Sequence, residues 1–253
     1  MKHRPVKGAR FFFATAPMPC PYLPGRVERR LVTELAGPQV TTFHDALSQA
    51  GFRRSHSIAY APVCQDCSAC AAVRIVARAF QPSRGQNRVW SKNRDLVACD
   101  TAPRATEEQY AVFRAYQRSR HGDSEMARMD FYDYQTLIED TAVDTKVFEF
   151  RDSNGKLAAA CLTDRLADGF SAVYSFFDAN LSRRSLGTFM ILWLVNHAKA
   201  LERMHVYLGY WVADCAKMSY KSQFQPLEAY TPEGWLPLRP DDPEITRFFR
   251  AGR

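Results

Sequence analysis

Residues 174–224, YSFFDANLSRRSLGTFMILWLVNHAKALERMHVYLGYWVADCAKMSYKSQF, decide the fold. A strand-like run at 172–177 leads through a polar turn at 178–185. Beyond it, apolar residues recur at Leu186, Phe189, Met190, Trp193, Leu194 and Leu201, the three-and-four spacing of a helix with one buried face. Ser182 or Ser185 suits the helix start, Lys199 and Arg203 suit its last turns, and HVYLGYW at 205–211 reads as a second strand. A strand, helix, strand unit of this length closes most naturally with its two strands parallel.

The whole 253-residue chain is 46% hydrophobic and 13% aromatic, enough for one large domain or two small ones, and disorder is not expected. Its longest apolar run, within 189–195, falls far short of the roughly 20 residues that a membrane span needs. The first residues, Met1 to Arg4, are basic, but Phe11 to Phe13 is too short for the apolar region of an export signal, so a cytoplasmic protein is expected. A net charge of +7 and a pI near 9.1 fit a polyanion partner such as nucleic acid, and equally an ordinary basic soluble protein.

Prolines at 17, 19, 21 and 24 surround Cys20 in an irregular N-terminal segment. A short helix over 42–50, capped by Thr42 and stopped by Gly51, precedes a strand across GFRRSHSIAYAP with Arg53 and Arg54. Cys64, Cys67 and Cys70 follow as C-x-x-C-x-x-C, with Cys20 a candidate fourth thiolate; two-residue gaps let neighbouring thiolates face one metal. A bacterial ferredoxin run would need Cys-Pro at 74 and 75, where Arg74 and Ile75 stand. Zinc, an iron–sulfur cluster, and a reduced metal-free loop therefore all remain open. A strand at 71–80 comes next. The segment 83–95, with Arg84, Arg88, Lys92 and Arg94 around Trp90, suits a nucleic-acid backbone or a solvated helix face.

A domain boundary is placed near 99–103, dividing an N-terminal cysteine-bearing lobe (1–102) from a second domain (103–253). Helices are expected from Thr106 and over 131–140, then strands at 146–151, 157–163 and 170–177, and a last helix holding Lys217. This order matches the N-acetyltransferase-like α/β fold, a mixed sheet flanked by helices whose acyl donor sits where the fourth and fifth strands splay. Coenzyme-A-binding members carry R/Q-x-x-G-x-G/A at the following helix. Here the sequence is Arg184-Ser185-Leu186-Gly187-Thr188-Phe189, and Phe189 occupies the second small position.

CPYLPGR (20–26), GFRRS (51–55), YAPVCQDCSAC (60–70), DFYDYQTLIEDTAVDT (130–145), YSFFD, SLGTFMIL, YLGYW and KMSYK together resemble the bacterial aspartate/glutamate leucyltransferases, relatives of the arginyl-tRNA–protein transferases. The resemblance spans nearly the whole chain. It implies transfer of leucine from leucyl-tRNA to the α-amine of proteins beginning with Asp or Glu, in N-degron proteolysis, with no cofactor required for transfer. Under that resemblance Tyr174, Asp178, Lys217 and Tyr220 are candidate catalytic residues. Arg53, Arg54 and Arg74 are candidates for the acidic acceptor, because a carboxylate is best met by a bidentate Arg. Arg84, Arg88, Lys92, Arg183, Arg184 and Lys221 are candidates for the tRNA, and Phe176, Tyr210 and Trp211 for a leucyl pocket. Lys217, Tyr220, Lys221 and Phe224 would share one helical face. His197 reads as a core histidine. The competing readings are a coenzyme-A-dependent acetyltransferase and a non-catalytic metal-knuckle RNA-binding protein.

Overall fold

The computed structural model describes residues 10–120, 122 and 124–251, so the basic residues 1–4 lie outside it. The N-terminal part forms β1 (Phe13–Ala14), β2 (Met18–Pro19), β3 (Val27–Glu28), β4 (Arg30–Glu34), α1 (Val40–Gln49), β5 (Arg53–Ser55), β6 (Ile58–Pro62), β7 (Ala71–Val76), α2 (Arg84–Lys92) and β8 (Val97–Thr101). Then come α3 (Glu107–Arg120), α4 (Phe131–Glu139), β9 (Thr145–Arg151), β10 (Leu157–Leu166), β11 (Gly169–Phe177), α5 (Leu186–Ala200) and β12 (His205–Trp211). A hairpin of β13 (Leu227–Thr231) and β14 (Gly234–Pro237) and a short α6 (Pro243–Thr246) follow.

Eight strands build one mixed sheet in the order β14-β13-β7-β12-β11-β10-β9-β8, and β1-β4-β6-β5 build a smaller one. In the large sheet only β11 and β12 run parallel, as the strand, helix, strand unit requires. The helix and strand order from α3 to β12 is that of the N-acetyltransferase-like fold. The large sheet takes strands from both sides of residue 102, since β7 lies between β12 and β13 and β8 pairs with β9.

Both faces of the sheet are covered. On one, α5 and α2 pack over Phe148, Phe150, Phe170, Val206 and Leu208; on the other, Phe113, Tyr134 and Ile138 of α3 and α4 pack over Val147, Leu162 and Phe176. Burial on both sides explains why β10 reads as an unbroken apolar run from Leu157 to Leu162 instead of an alternating one. Capping boxes start α2 at Ser83 and Gln86 and α4 at Asp130 and Asp133.

Several local expectations change. The single buried face expected of α5 is wider: Ile191, Leu192 and Val195 are buried in the same core, and Trp90 of α2 packs on Phe189 with ring centroids 5.6 Å apart. Trp90 is thus a packing residue. Leu201 falls beyond the helix and is 51% exposed. Ser185 stands at the start of α5 in a left-handed conformation and makes no side-chain cap bond. Gln39, not Thr42, precedes α1. The strand expected over 51–62 is a hairpin, β5 and β6, turning at His56 with φ of 53°. The last expected helix is replaced by turns and a 3-10 segment, Ser219–Gln223, after Val212 and Cys215 pack with Leu23 and Ala69. His197 stacks on Trp193 at 4.7 Å.

Candidate active site

β11 and β12 are hydrogen-bonded only from Gly169↔His205 to Ser171↔Tyr207, and then they part. The cause lies in β12. Its register with β7 shifts between Tyr207 and Gly209, and Gly209 takes φ of 74°, so a bulge turns the strand away from β11 while it stays paired with β7. The carbonyls of β11 that face the gap have no strand to accept from.

One cation fills that role on β11, and a second reaches a carbonyl of β12. Arg53, on β5 of the small sheet, donates from Nη2 to the carbonyls of Val173 at 3.0 Å and Ala172 at 3.4 Å. Lys221, from the 3-10 segment, donates from Nζ to the carbonyl of Tyr210 on β12. Lys221 is only 5% exposed; burial, and then the charge of Arg53, pull its pKa down to about 7. Neither cation is paired with a carboxylate among the described residues. Tyr210 lies beneath them, its hydroxyl donating to the carbonyls of Tyr60 at 3.0 Å and Gly51 at 3.3 Å and its ring 6.0 Å from that of Tyr60. Lys217 and Tyr220 are exposed at the same end of β12, Tyr220 by 41%.

The other arginines proposed for the acceptor are already engaged. Successive strand residues face opposite ways, so Arg54 points away from Arg53. It makes a bidentate pair with the fully buried Asp164, Nε to Oδ2 at 2.7 Å and Nη2 to Oδ1 at 2.8 Å, which Thr145 joins at 2.7 Å. Arg74 sits at the closed end of the parallel pair. It donates to Glu228 at 2.7 Å and to the Tyr207 hydroxyl at 3.1 Å, and its guanidinium lies 4.2 Å over the Trp235 ring. Asp168 accepts from Tyr207 at 2.8 Å and shares a hydrogen bond with His205 at 3.0 Å. Burial opposes its ionisation, but these bonds and the charge of Arg74 hold its carboxyl below the usual range.

Of the remaining candidates, Phe176 and Trp211 are buried in the two cores and Tyr210 is 2% exposed, so none walls an open pocket. Asp178 caps the turn after β11, accepting from the Asn180 amide at 3.0 Å and from Lys156 at 3.2 Å. The Tyr174 hydroxyl accepts from Gln117 of α3, and burial raises its pKa. Lys221 is enclosed, not a surface phosphate ligand. Arg184 braces α2 instead of facing solvent, bonded to Asn93 at 2.8 Å, the Lys92 carbonyl at 3.1 Å and Asp95. Arg84, Arg88, Lys92 and Arg183 are exposed, with Lys92 tied to the Arg183 carbonyl at 2.6 Å, so α2 and the turn before α5 present charge together.

All the cysteines are free. Cys20, Cys67 and Cys70 pack with Leu23, Ala69, Val212, Cys215 and Met218 just past the end of β12. Burial, then the neighbouring Cys20, Cys67 and Cys64, push the Cys70 thiol up to about 12, which brings the four thiols of the sequence pattern into one electrostatic group. Among the described residues no three His, Cys, Asp or Glu side chains stand at metal-holding geometry.

Sequence reasoning missed Asp164 and Glu228, whose partners come from strands far away in the chain. It also missed Gly209, whose signal was a glycine inside an aromatic strand.

A splayed parallel pair with cations at the gap, on the element order of the N-acetyltransferase-like fold, defines an acyltransferase-type domain. Phe189, at the second small position of the coenzyme-A motif, packs in the core against Trp90 and Phe150. The chain belongs to the arginine-tRNA-protein transferase family: the family's N-terminal model matches residues 18–88 and its C-terminal model residues 108–231. It is 56% identical over 242 residues to the aspartate/glutamate leucyltransferase of Paramagnetospirillum magneticum, covering 96% of this chain and 99% of that one. It is 52% identical over 237 residues to that of Rhodospirillum rubrum, covering 93% and 96%. Among solved structures it is similar to L-PGS from Bacillus licheniformis, with a TM-score of 0.45, 11% identity, and coverage of 58% of this chain and 46% of that one. The protein is therefore a transferase enzyme, of a family that acts on aminoacyl-tRNA and protein. Among the described residues no helix is long and apolar enough to cross a membrane.

Proposed function

We propose that this enzyme transfers leucine from leucyl-tRNA to the α-amine of proteins beginning with Asp or Glu, in the cytoplasm, and so marks them for N-degron proteolysis. The observation that carries the acceptor half is Arg53: a guanidinium in the β11–β12 gap that has no carboxylate partner among the described residues. Leucine as cargo is supported by the names of the relatives.

The aminoacyl ester is already activated, so the site must position an amine, let it be neutral, and stabilise the oxyanion that forms. The α-amine, with a pKa of roughly 7.7–8, is partly neutral at cytoplasmic pH. Its nitrogen attacks the ester carbonyl, the tetrahedral oxyanion collapses, and the 3′ oxygen of the tRNA leaves with a proton that the amine loses. The exposed Lys217 and Tyr220 are the candidate donors to the oxyanion or the leaving oxygen. Arg84, Arg88, Lys92 and Arg183 supply the charge for the tRNA backbone.

Cys20, Cys64, Cys67 and Cys70 supply soft thiol donors of the kind that zinc or an iron–sulfur cluster takes, but they would have to close on it, since among the described residues no three stand at metal-holding geometry. A group held there would fasten the Cys20 loop beside residues 212–218, and no step of transfer runs through it.

The donor is tested by incubating the protein and an Asp-initiated peptide with labelled leucyl-tRNA, arginyl-tRNA or acetyl-coenzyme A. Label from leucyl-tRNA alone is expected. Consumption of acetyl-coenzyme A with no leucine transferred would support the coenzyme-dependent reading instead.

A further inference from the structure

Lys221 is an anomaly of the gap that transfer chemistry alone does not require. Its ammonium is nearly enclosed, and its hydrogen bond is to the carbonyl of Tyr210. The Arg53 guanidinium, bonded to β11, lies against Gly209, the residue before Tyr210, so the two cations stand beside successive residues of β12. No carboxylate among the described residues pairs with either. An ammonium has three donors and a guanidinium five. Lys221 uses one donor on Tyr210 and Arg53 uses Nη2 on β11, which leaves Nε and Nη1 of Arg53 without partners among the described residues. A buried cation without a counter-ion is costly, and a second cation beside it raises that cost. A chain that needed only a donor for the Tyr210 carbonyl would do better with a neutral amide.

We infer that Arg53 and Lys221 together form the receptor for the side-chain carboxylate of the acceptor's first residue, with Lys221 a specificity-determining residue. This rests on the reading of the enzyme as a transferase for acidic N-termini and adds the second cation. The incoming Asp or Glu is the missing counter-ion. Asn and Gln are isosteric but neutral and leave the pair uncompensated, so discrimination arises from charge and not from size.

The test measures kcat/KM for leucine transfer to matched Asp- and Asn-initiated peptides, using wild-type protein and the variants Lys221→Gln and Lys221→Arg. The KM for leucyl-tRNA and the thermal melt are recorded alongside. Lys221→Gln is expected to raise the melt, as removal of an uncompensated buried charge should, and to keep the KM for leucyl-tRNA while the Asp-over-Asn ratio falls by about tenfold or more; Lys221→Arg should retain most of the ratio. An unchanged ratio, or equal losses on both peptides, would overturn the inference and make Lys221 a brace for β12. If the Gln variant does not fold, wild-type protein is acylated with acetic anhydride and Lys221 is followed by mass spectrometry. Protection by the Asp peptide but not by the Asn peptide is expected, and equal labelling overturns the inference. Wild-type protein that transfers leucine to neither peptide would reject the functional reading itself, a result distinct from these.

Discussion

Gly209 and Arg53 share one space: a β-carbon on Gly209 would overlap Nη1 of the Arg53 guanidinium. The glycine also holds φ at 74°, where a side chain is strained. The bulge that opens β12 from β11 therefore makes room for the cation that fills the opening.

Gly209→Ala should displace Arg53 and behave like its removal. The expected result is a loss of about tenfold or more in kcat/KM for Asp-initiated peptides, with stability lowered by about 1–2 kcal/mol from the backbone strain alone. Kinetics of the single variants and of the Gly209→Ala, Arg53→Ala pair check this. The double variant should be little worse than either single one, and additive losses would show the two residues acting separately.

Arg54 should matter to folding and not to selectivity. Removing one partner of a buried pair leaves an uncompensated charge, so Arg54→Met is expected to cost about 3–5 kcal/mol in urea unfolding. Adding Asp164→Asn should recover part of it. The Asp-over-Asn preference of whatever protein folds should match wild type; a lost preference would return Arg54 to the acceptor site.

Lys221 has a pH signature. Its folded pKa, about 7, lies below the unfolded value of 10.5, so between these values a falling pH protonates the unfolded chain first and stability is lost. Besides Arg53, the groups that act on it are Cys215 and Cys70. Lys221→Met removes this titration, and after allowance for the Tyr210 carbonyl left unpaired it should be about 1–3 kcal/mol more stable than wild type at pH 7. The gain should shrink toward pH 10. Denaturant midpoints at the two pH values decide it, and a variant less stable at pH 7 contradicts the assignment.

The parallel pair, α5 and the order of elements were legible because apolar spacing and strand length survive any context. Partners were not. Arg53 and Arg54 are adjacent and chemically identical in sequence, and only the alternation of β5 against two different neighbours sends one to Asp164 and the other into the gap. Tyr210, Trp211 and Phe176 read as pocket walls because aromatic strands look alike whether they line a cavity or a core. The hairpin of β13 and β14, which supplies Glu228 to Arg74, was hidden behind the expectation of a helix at Lys217.

The exposed face of α2 should govern tRNA affinity alone. Arg84→Gln with Arg88→Gln is expected to raise the KM for leucyl-tRNA and to make log K against log salt shallower by about 0.7–0.9 for each phosphate that is no longer neutralised. The KM for the peptide should not move. An unchanged salt slope would leave α2 as an ordinary solvated helix.

Binding of zinc or an iron–sulfur cluster would need Cys20, Cys64, Cys67 and Cys70 to close from an arrangement in which no three stand at metal-holding geometry. If they do close, anaerobically purified protein carries the metal, and Cys67→Ser loses it together with several degrees of thermal stability. Metal analysis with visible absorption reads this directly. Metal-free wild type with an unchanged melt would leave the thiols as plain packing groups.

The most direct test compares leucine transfer from leucyl-tRNA to peptides that differ only in the first residue: Asp, Glu, Asn or Ala. The account predicts efficient transfer to Asp and Glu and a kcat/KM lower by about a hundredfold for Asn and Ala, the scale of a lost buried charge pair. Equal transfer to Asp and Ala would contradict it.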